Sequence, residues 1–286
     1  MSALSEILIV TVAYNSTGVM GEMLASLPQG ARVVIVDNAS SDSEALAVLA
    51  ARYGASILTN PENRGFGAAC NAGAAYADST YLFFLNPDAQ LTDGCLDHLL
   101  TALQNHPEAA AASPRVLDGR GRPAFRRRSR LLPKSAHWSG PPPQADAEMP
   151  LLNGAAMFIP RAHFEAVSGF DEAIFLYHED DDLSLRLARR FGPLRHVHSA
   201  VVRHAEGSST ARTPATASFK AWHMAQSAVY AMRKHDRPLA RARVILGAAV
   251  QLLSPLTLLS ARKRAKNIAF LKGALETTPQ KTQGLS

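Results

Sequence analysis

The chain has 286 residues, 47% hydrophobic and 19% charged, a balance that supports a sizeable core and excludes a disordered polypeptide. Its two cysteines, Cys70 and Cys95, are too few for a disulfide framework or a cysteine-rich zinc site, which favours a reducing, cytoplasmic setting. The net charge of +6 is concentrated in residues 120–134, where arginines and a lysine stand without an acid, and in residues 233–272. Such patches meet phosphorylated substrates, anionic lipid or nucleic acid, or form a solvated face.

The opening MSALSEILIVTVAYN lacks a basic region before its short apolar run, so no signal peptide is read there. Residues 7–13 (ILIVTVA) predict a buried strand and 18–27 a helix. Residues 32–36 (RVVIV) predict a second strand, running into Asp37-Asn38-Ala39-Ser40-Ser41-Asp42. A helix over 44–53, a strand over 55–58, a helix over 67–77 and a strand over 81–85 (YLFFL) follow. Short strands alternating with helices argue βαβ units and a parallel sheet.

The fourth strand must end at Asn86. Pro87 cannot donate to a ladder, and the carboxylate of Asp88 is costly to bury alone. Asp88 is therefore left at the carboxyl tip, the edge where open α/β sheets bind ligands. Tyr14-Asn15 and residues 37–42 end their strands at the same edge, so three oxygen-rich turns converge on one crevice. Each alone is equally an ordinary capped turn. Between them, Asn63-Arg64-Gly65-Phe66-Gly67 opens a helix with small residues, which lets backbone N–H groups approach a phosphate. Gly65-x-Gly67 with Asp88 downstream also admits a dinucleotide fingerprint, hence a nucleotide-dependent oxidoreductase. Cys70 at the third small position and the place outside the first βα unit count against it.

Residues 114–149, with the basic run and Pro141-Pro142-Pro143, read as a long irregular excursion of a functional or mobile kind. Trp138 within it is either a stacking platform for an acceptor ring or the loop's own anchor. Regular structure returns at 151–159. The run Glu179-Asp180-Asp181-Asp182 opens a helix, where the macrodipole favours carboxylates and Asp182 can pair with Arg186. Asp180, Leu183 and Leu187 share one face, which directs Asp180 to an apolar edge that raises a carboxyl toward the range of a useful base; Glu179 and Asp182 are its rivals. A strand over 197–203 ends on His204, and helices follow from 215. Residues 244–259, apolar between basic flanks, are short for a spanning helix and contain Gln251 and Pro255. They fit an interfacial helix on a membrane, or equally packing against the domain or a second subunit. Residues 277–286 read as a disordered tail.

The ordered series Tyr14-Asn15, Asp37-Asn38-Ala39-Ser40-Ser41-Asp42, Asn63-x-Gly65-Phe66-Gly67-x-Ala69-x-Asn71-x-Gly73, Asn86-Pro87-Asp88, Asn153-Gly154-Ala155-Ala156, Gly169-Phe170-Asp171-Glu172, Glu179-Asp180 and His204 with Gly207-Ser208-Ser209 resembles the family 2 glycosyltransferases, in particular their bacterial rhamnosyltransferase branch. It spans about residues 7–235. The resemblance implies an α/β GT-A fold with a mixed, mainly parallel sheet flanked by helices and a helical C-terminal extension. It also implies a division into a nucleotide-sugar half (1–113), an acceptor and catalytic half (114–232) and a basic helical segment (233–286).

The implied activity is inverting transfer of a hexose, by preference L-rhamnose from dTDP-rhamnose, with a UDP-linked donor as the other option. The acceptor would be a hydroxyl of a cell-surface polysaccharide or lipid-linked glycan precursor, at the inner face of the cytoplasmic membrane. Nucleic acid is not among the implied partners; a homodimer is compatible. Asn86-Pro87-Asp88 takes the place of the family's Asp-x-Asp motif with a neutral amide first, so Mn2+ or Mg2+ would rely on Asp88 and His204. Asp37 would read the nucleobase, with Tyr14, Asn15, Asn38, Ser40 and Asp42 framing the nucleoside. Asn63, Gly65, Phe66 and Asn71 would lie near the ribose and diphosphate, and Asn153 and Gly154 would line the sugar pocket. Asp180 would deprotonate the acceptor. Asn86 keeps open a non-catalytic nucleotide-sugar-binding protein.

Overall fold

The computed structural model describes residues 3–205 and 213–276. The chain divides into two compact units, one comprising Met1–Asp171 with Asp180–Thr210, the other Glu172–Glu179 with Ala211–Ser286.

The first unit opens with β1 (Ile7–Ala13), α1 (Thr17–Ala25), β2 (Arg32–Asp37), α2 (Ser43–Arg52), β3 (Ser56–Thr59), α3 (Phe66–Ala74) and β4 (Tyr81–Leu85), each within two or three residues of its expected place. It continues with β5 (Ala89–Leu91), α4 (Cys95–Asn105), β6 (Ala111–Asp118), β7 (Ala147–Met149), β8 (Ala156–Pro160), α5 (Arg161–Ala166), α6 (Glu179–Phe191) and β9 (Leu194–His204). Every residue of β1 is buried, because helices cover both faces of the sheet. Strand alternation then divides the side chains between two cores. Ile7, Ile9, Ile35 and Phe83 pack with Met20, Leu46 and Leu99 of α1, α2 and α4. Leu8, Val10, Val34 and Phe84 pack with Ala69, Leu183 and Leu187 of α3 and α6. Gly73 lets α3 lie close on the sheet: a Cβ there would come within 2.5 Å of Val10 and 2.8 Å of Val36.

The sheet order is β3-β2-β1-β4-β8-β6-β9-β5, with β7 also on β9. The first four strands pair in parallel, as does β6 with β9. The pairings β4–β8, β6–β8, β5–β9 and β7–β9 are antiparallel, so the expected parallel character holds through β4 and gives way to a mixed sheet beyond it. The expected boundary at 113/114 falls inside β6, so both expected halves share one sheet.

The stretch 114–149 is less irregular than expected. It begins as β6 and ends as β7, and its backbone groups find partners. Asp118 N donates to Arg122 O, Ala124 N to Val116 O and Trp138 N to Arg127 O. Trp138 anchors the loop: its ring meets Phe125 edge-on at 5.3 Å, and its indole N–H donates to Pro141 O.

The second unit is helical: α7 (Pro214–Lys234), α8 (Ala240–Leu252), α9 (Pro255–Leu258) and α10 (Ala261–Leu275). Thr213 caps α7, its hydroxyl accepting from Thr216 N at 3.1 Å, with Pro214 at the first helical position. The expected boundary at 232/233 therefore falls inside α7. The Trp222 indole donates to Glu276 and ties α7 to the end of α10. No helix among the described residues is long and apolar enough to cross a membrane. The expected tail at 277–286, and Gly207, Ser208 and Ser209, lie outside the described residues.

Candidate active site

The carboxyl ends of β1, β2 and β3 lie side by side, with Ala13 against Asp37 and Asp37 against Thr59. Asp37 is fully buried. One carboxylate oxygen accepts from Ser40 N at 2.8 Å and the other from the Ser43 hydroxyl at 2.6 Å, so the side chain holds the β2–α2 turn. Asn15, at φ 54, accepts from Ser41 N and Ser41 Oγ, and its own N–H donates to Ser40 Oγ. The first two turns are thus fastened together, leaving Tyr14 exposed. Asp42 stands at the N-cap of α2.

Asn38 is the hub of a buried amide network. Its Nδ2 donates to Asn63 Oδ1 at 2.8 Å and to Gly65 O, and its Oδ1 accepts from Asn60 Nδ2 at 3.0 Å and from Arg64 N. This fixes the segment leading into α3, with Gly65 as its N-cap and Phe66 its first residue. Asn71 lies further from the expected diphosphate role. Its Nδ2 donates to Phe170 O and its Oδ1 accepts from Phe170 N, which clamps the turn at 169–170.

The strand β4 ends as expected, with Asn86 N donating to Ala155 O and Pro87 buried. The short β5 then runs antiparallel to β9 with Ala89 opposite His204, which brings Asp88 and His204 together from opposite ends of the unit. Asp88 Oδ1 is 3.0 Å from His204 Nε2, with Asn86 Nδ2 3.4 Å from the same nitrogen. Two ligand atoms at right angles on a six-coordinate ion with ~2.1 Å bonds are about 3 Å apart, so the pair fits one edge of a divalent-ion site. Among the described residues no three His, Cys, Asp or Glu side chains gather, so phosphate oxygens and water would complete such a shell.

The β8 side brings in the acidic helix. A Cβ on Gly154 would lie 2.8 Å from Asp180 Oδ2, so only glycine admits this carboxylate beside Ala155, the residue that accepts from Asn86. The apolar setting expected of Asp180 is not what its face meets: Arg126 Nη2 lies 3.6 Å from Asp180 Oδ2. The adjacent Asp181, buried, is gripped by Arg126 through Oδ1, while Ser129 Oγ donates to its Oδ2 at 2.7 Å. Asp182 is buried and accepts from Arg186 Nε at 2.8 Å, as the spacing predicts. Glu179, the first residue of α6, belongs to the second unit. Asn153 donates to Ala124 O and accepts from Ala155 N, fixing the β8 approach.

Asp37, Asn38, Asn86, Asp88, Asn153, Gly154 and Asp180 therefore all belong to one edge or the segments fastened to it. Sequence reasoning missed Asn60, Arg126, Ser129 and Asp181. Asn60 carried a signal, an amide ending β3 as Asn86 ends β4; the other three did not, since their pairing spans more than fifty residues.

Residues 8–163 match the model of the family described as "Glycosyl transferase family 2". The chain is 30% identical over 242 residues to N-acetylglucosaminyl-diphospho-decaprenol L-rhamnosyltransferase of Mycobacterium tuberculosis, covering 73% of this chain and 78% of that one. Its fold is similar to that of a mannosyltransferase from Pyrobaculum calidifontis solved with GDP-Man and Mn2+ (TM-score 0.58, 17% identity, 94% of this chain and 86% of that one). It is also similar to GalNAc-T7 solved with UDP, GalNAc and Mn2+ (TM-score 0.59, 14% identity, 96% and 56%). These likenesses fix the GT-A architecture and displace the dinucleotide-oxidoreductase and non-catalytic readings. The chain belongs to glycosyl transferase family 2.

Proposed function

We propose that this enzyme is an inverting rhamnosyltransferase taking L-rhamnose from a dTDP-linked donor to a hydroxyl of a lipid-linked glycan precursor. The likeness to a rhamnosyltransferase with a diphospho-lipid acceptor supports the choice of donor and acceptor. The observation that carries the reading is the approach of Asp180 to Gly154, one residue from the Ala155 carbonyl that accepts from Asn86. A candidate base thereby adjoins the strand end that bears the Asp88–His204 pair.

Asp180 removes the proton of the acceptor hydroxyl as its oxygen attacks the anomeric carbon. The bond from that carbon to the nucleotide's terminal phosphate oxygen breaks in the same displacement, so the centre inverts and no enzyme nucleophile is needed. Arg126, paired to both Asp180 and Asp181, orients the base. Held by Asp88 and His204, Mn2+ or Mg2+ would neutralise charge on the departing diphosphate. Asn38, Asn60 and Asn63 keep the donor-side segment in shape, and Asp37 sets the turn that faces the nucleobase. Asp182 is structural, committed to Arg186.

The acceptor's lipid gives the second unit a role at the membrane surface. Ala240, Val244 and Ala248 form the buried face of α8, whereas Leu246, Val250 and Leu253, at i, i+4 and i+7, are exposed on the opposite side. Leu259 and Ile268 are exposed as well, and residues 237–275 contain arginines and lysines but no acid. Apolar side chains among cations suit an anionic bilayer surface. The full chain should float with phosphatidylglycerol vesicles and not with phosphatidylcholine vesicles. Equal recovery with both, or a stable dimer masking this face, would remove the membrane role.

The test of the reaction is a thermal-shift panel of dTDP, UDP and GDP with their sugar conjugates, with Mn2+ and with chelator. A rise in melting temperature is expected, largest for dTDP-rhamnose with Mn2+. No stabilisation by any nucleotide diphosphate in either condition would sink it.

A further inference from the structure

A small cleft is walled by Pro114, Phe125, Pro142, Pro143 and Met149, with Arg115 and His196 on its lining. Its volume is about 10 Å3, room for one water-sized group. Arg126 and Asn153 border it too, and they connect it to the base: Arg126 reaches Asp180, and Asn153 precedes the glycine that touches Asp180.

Among the polar atoms of these lining residues, Arg115 Nε and His196 Nε2 are buried with no hydrogen-bond partner among the described residues. His196 is only 4% exposed. A buried donor or acceptor left unmet is costly, so native proteins rarely keep two in one cavity unless something comes to meet them.

We propose that this cleft is an acceptor subsite for carbohydrate, in which one sugar hydroxyl meets Arg115 and His196 while the ring's C–H face lies on Phe125, Pro142 and Pro143. It rests on the reading of Asp180 as the base that faces the acceptor. A hydroxyl suits the pair because it accepts from the guanidinium N–H and donates to a neutral imidazole at once. An anionic group suits it less well. Burial, with the charges of His198 and Arg115, pushes His196 down to about 4, so near neutral pH the ring adds no positive charge. Arg115 already donates from Nη1 toward His198 Nε2 at 3.0 Å, and Arg126 is engaged by Asp180 and Asp181. The proline and phenylalanine walls present the flat apolar surface that a pyranose face covers.

The experiment is binding of methyl glycosides of N-acetylglucosamine, glucose, galactose and mannose to the full chain, followed by saturation-transfer NMR, with inorganic phosphate as a parallel probe. One glycoside is expected to bind, and Arg115→Lys and His196→Gln are each expected to weaken it about tenfold. The melting shift given by dTDP with Mn2+ should match the wild type in both variants. Unchanged glycoside affinity in the variants overturns the subsite. So does a variant effect seen for phosphate alone, or a wild type that binds donor but no glycoside, which would leave the two atoms to a buried water. Should His196→Gln fail to fold, Arg115→Lys decides, since it keeps the charge and replaces the guanidinium, with its Nε donor and its Nη1 contact to His198, by a single ammonium. A wild type that binds no nucleotide would instead fail the underlying transferase reading.

Discussion

The donor-side edge at β1–β3 and the region around α6 fasten their polar groups over different distances. Asn15 reaches Ser40, and Asn38 reaches Asn60 and Asn63, across 22 to 25 residues, each bond joining the ends of neighbouring βα units. Asp181 is held by Arg126 and Ser129 from 55 and 52 residues away, and Asp88 meets His204 across 116. The first region is shaped by turns that form almost with their own strands. The second exists only once the sheet has closed through β8, β6 and β9. On the proposed reading, binding of the nucleotide should therefore depend on a locally wired scaffold, and the candidate base Asp180 on a globally assembled one.

The largest effect expected separates the two. Asp180→Asn removes the proposed proton acceptor and leaves the donor edge untouched, so transfer should fall roughly 100- to 10,000-fold while the melting shift with dTDP persists. Wild-type turnover in this variant would return the base role to Glu179 or to another group. Asn38→Ala asks the converse question. It strands the buried amide of Asn60 and takes a partner from Asn63 Oδ1, which keeps Gly65 N–H, and from Arg64 N–H, at a cost of about 1–3 kcal/mol, read by urea denaturation. Nucleotide binding should weaken with it. A loss of stability below about 1 kcal/mol would mean that the donor edge is not held by this network.

Acid probes the far side of the sheet. His196 faces His198 and Arg115, whose charges oppose its protonation, and Asp146, which favours it; Arg126 lines the same cleft. Its folded value of about 4 lies below the ordinary 6.5, so the unfolded chain takes up the proton first. The neutral ring's contribution is complete above about pH 6.5 and is lost as pH falls toward 4, by at most about 3 kcal/mol. Melting temperatures measured across that range should fall more steeply for the wild type than for His196→Gln; parallel curves would place the ring in water.

The same difference in range decides what could be read before the fold was known. Each strand of the first region ends in a recognisable break: Tyr14-Asn15 after ILIVTVA, Asp37-Asn38 after RVVIV, and Asn86-Pro87-Asp88 after YLFFL. A buried apolar run cannot continue through an amide, a carboxylate and a proline, so the ends and their common edge were legible. The helix α4 has a clear apolar stripe, Leu96, Leu99, Leu100 and Leu103, and went unread beside the more conspicuous motif that precedes it. The ordered path of 114–149 was not legible at all. Its arginines look like solvated surface until Asp181 appears beside them, and nothing local announces that pairing. The expected apolar setting of Asp180 failed for the same reason: helical spacing aligned it with Leu183 and Leu187, and spacing carries no record of Arg126.

The smallest effect tests whether that long-range fastening is what holds the excursion. Ser129 is buried, donating to Asp181 Oδ2 and accepting from Leu131 N at 3.1 Å. In Ser129→Ala, Arg126 still grips the other carboxylate oxygen, so the cost should be near 1 kcal/mol rather than that of an abandoned buried charge. The loss should be confined to the loop. Amide exchange around residues 127–138 should accelerate several-fold, because Trp138 N donates to Arg127 O within the segment that Ser129 ties down. Protection of β1 and β2 should be unchanged, since their bonds share no partner with it. Equal loss of protection in both regions would show that the two are fastened as one, and that the contrast between local and long-range wiring has no energetic counterpart.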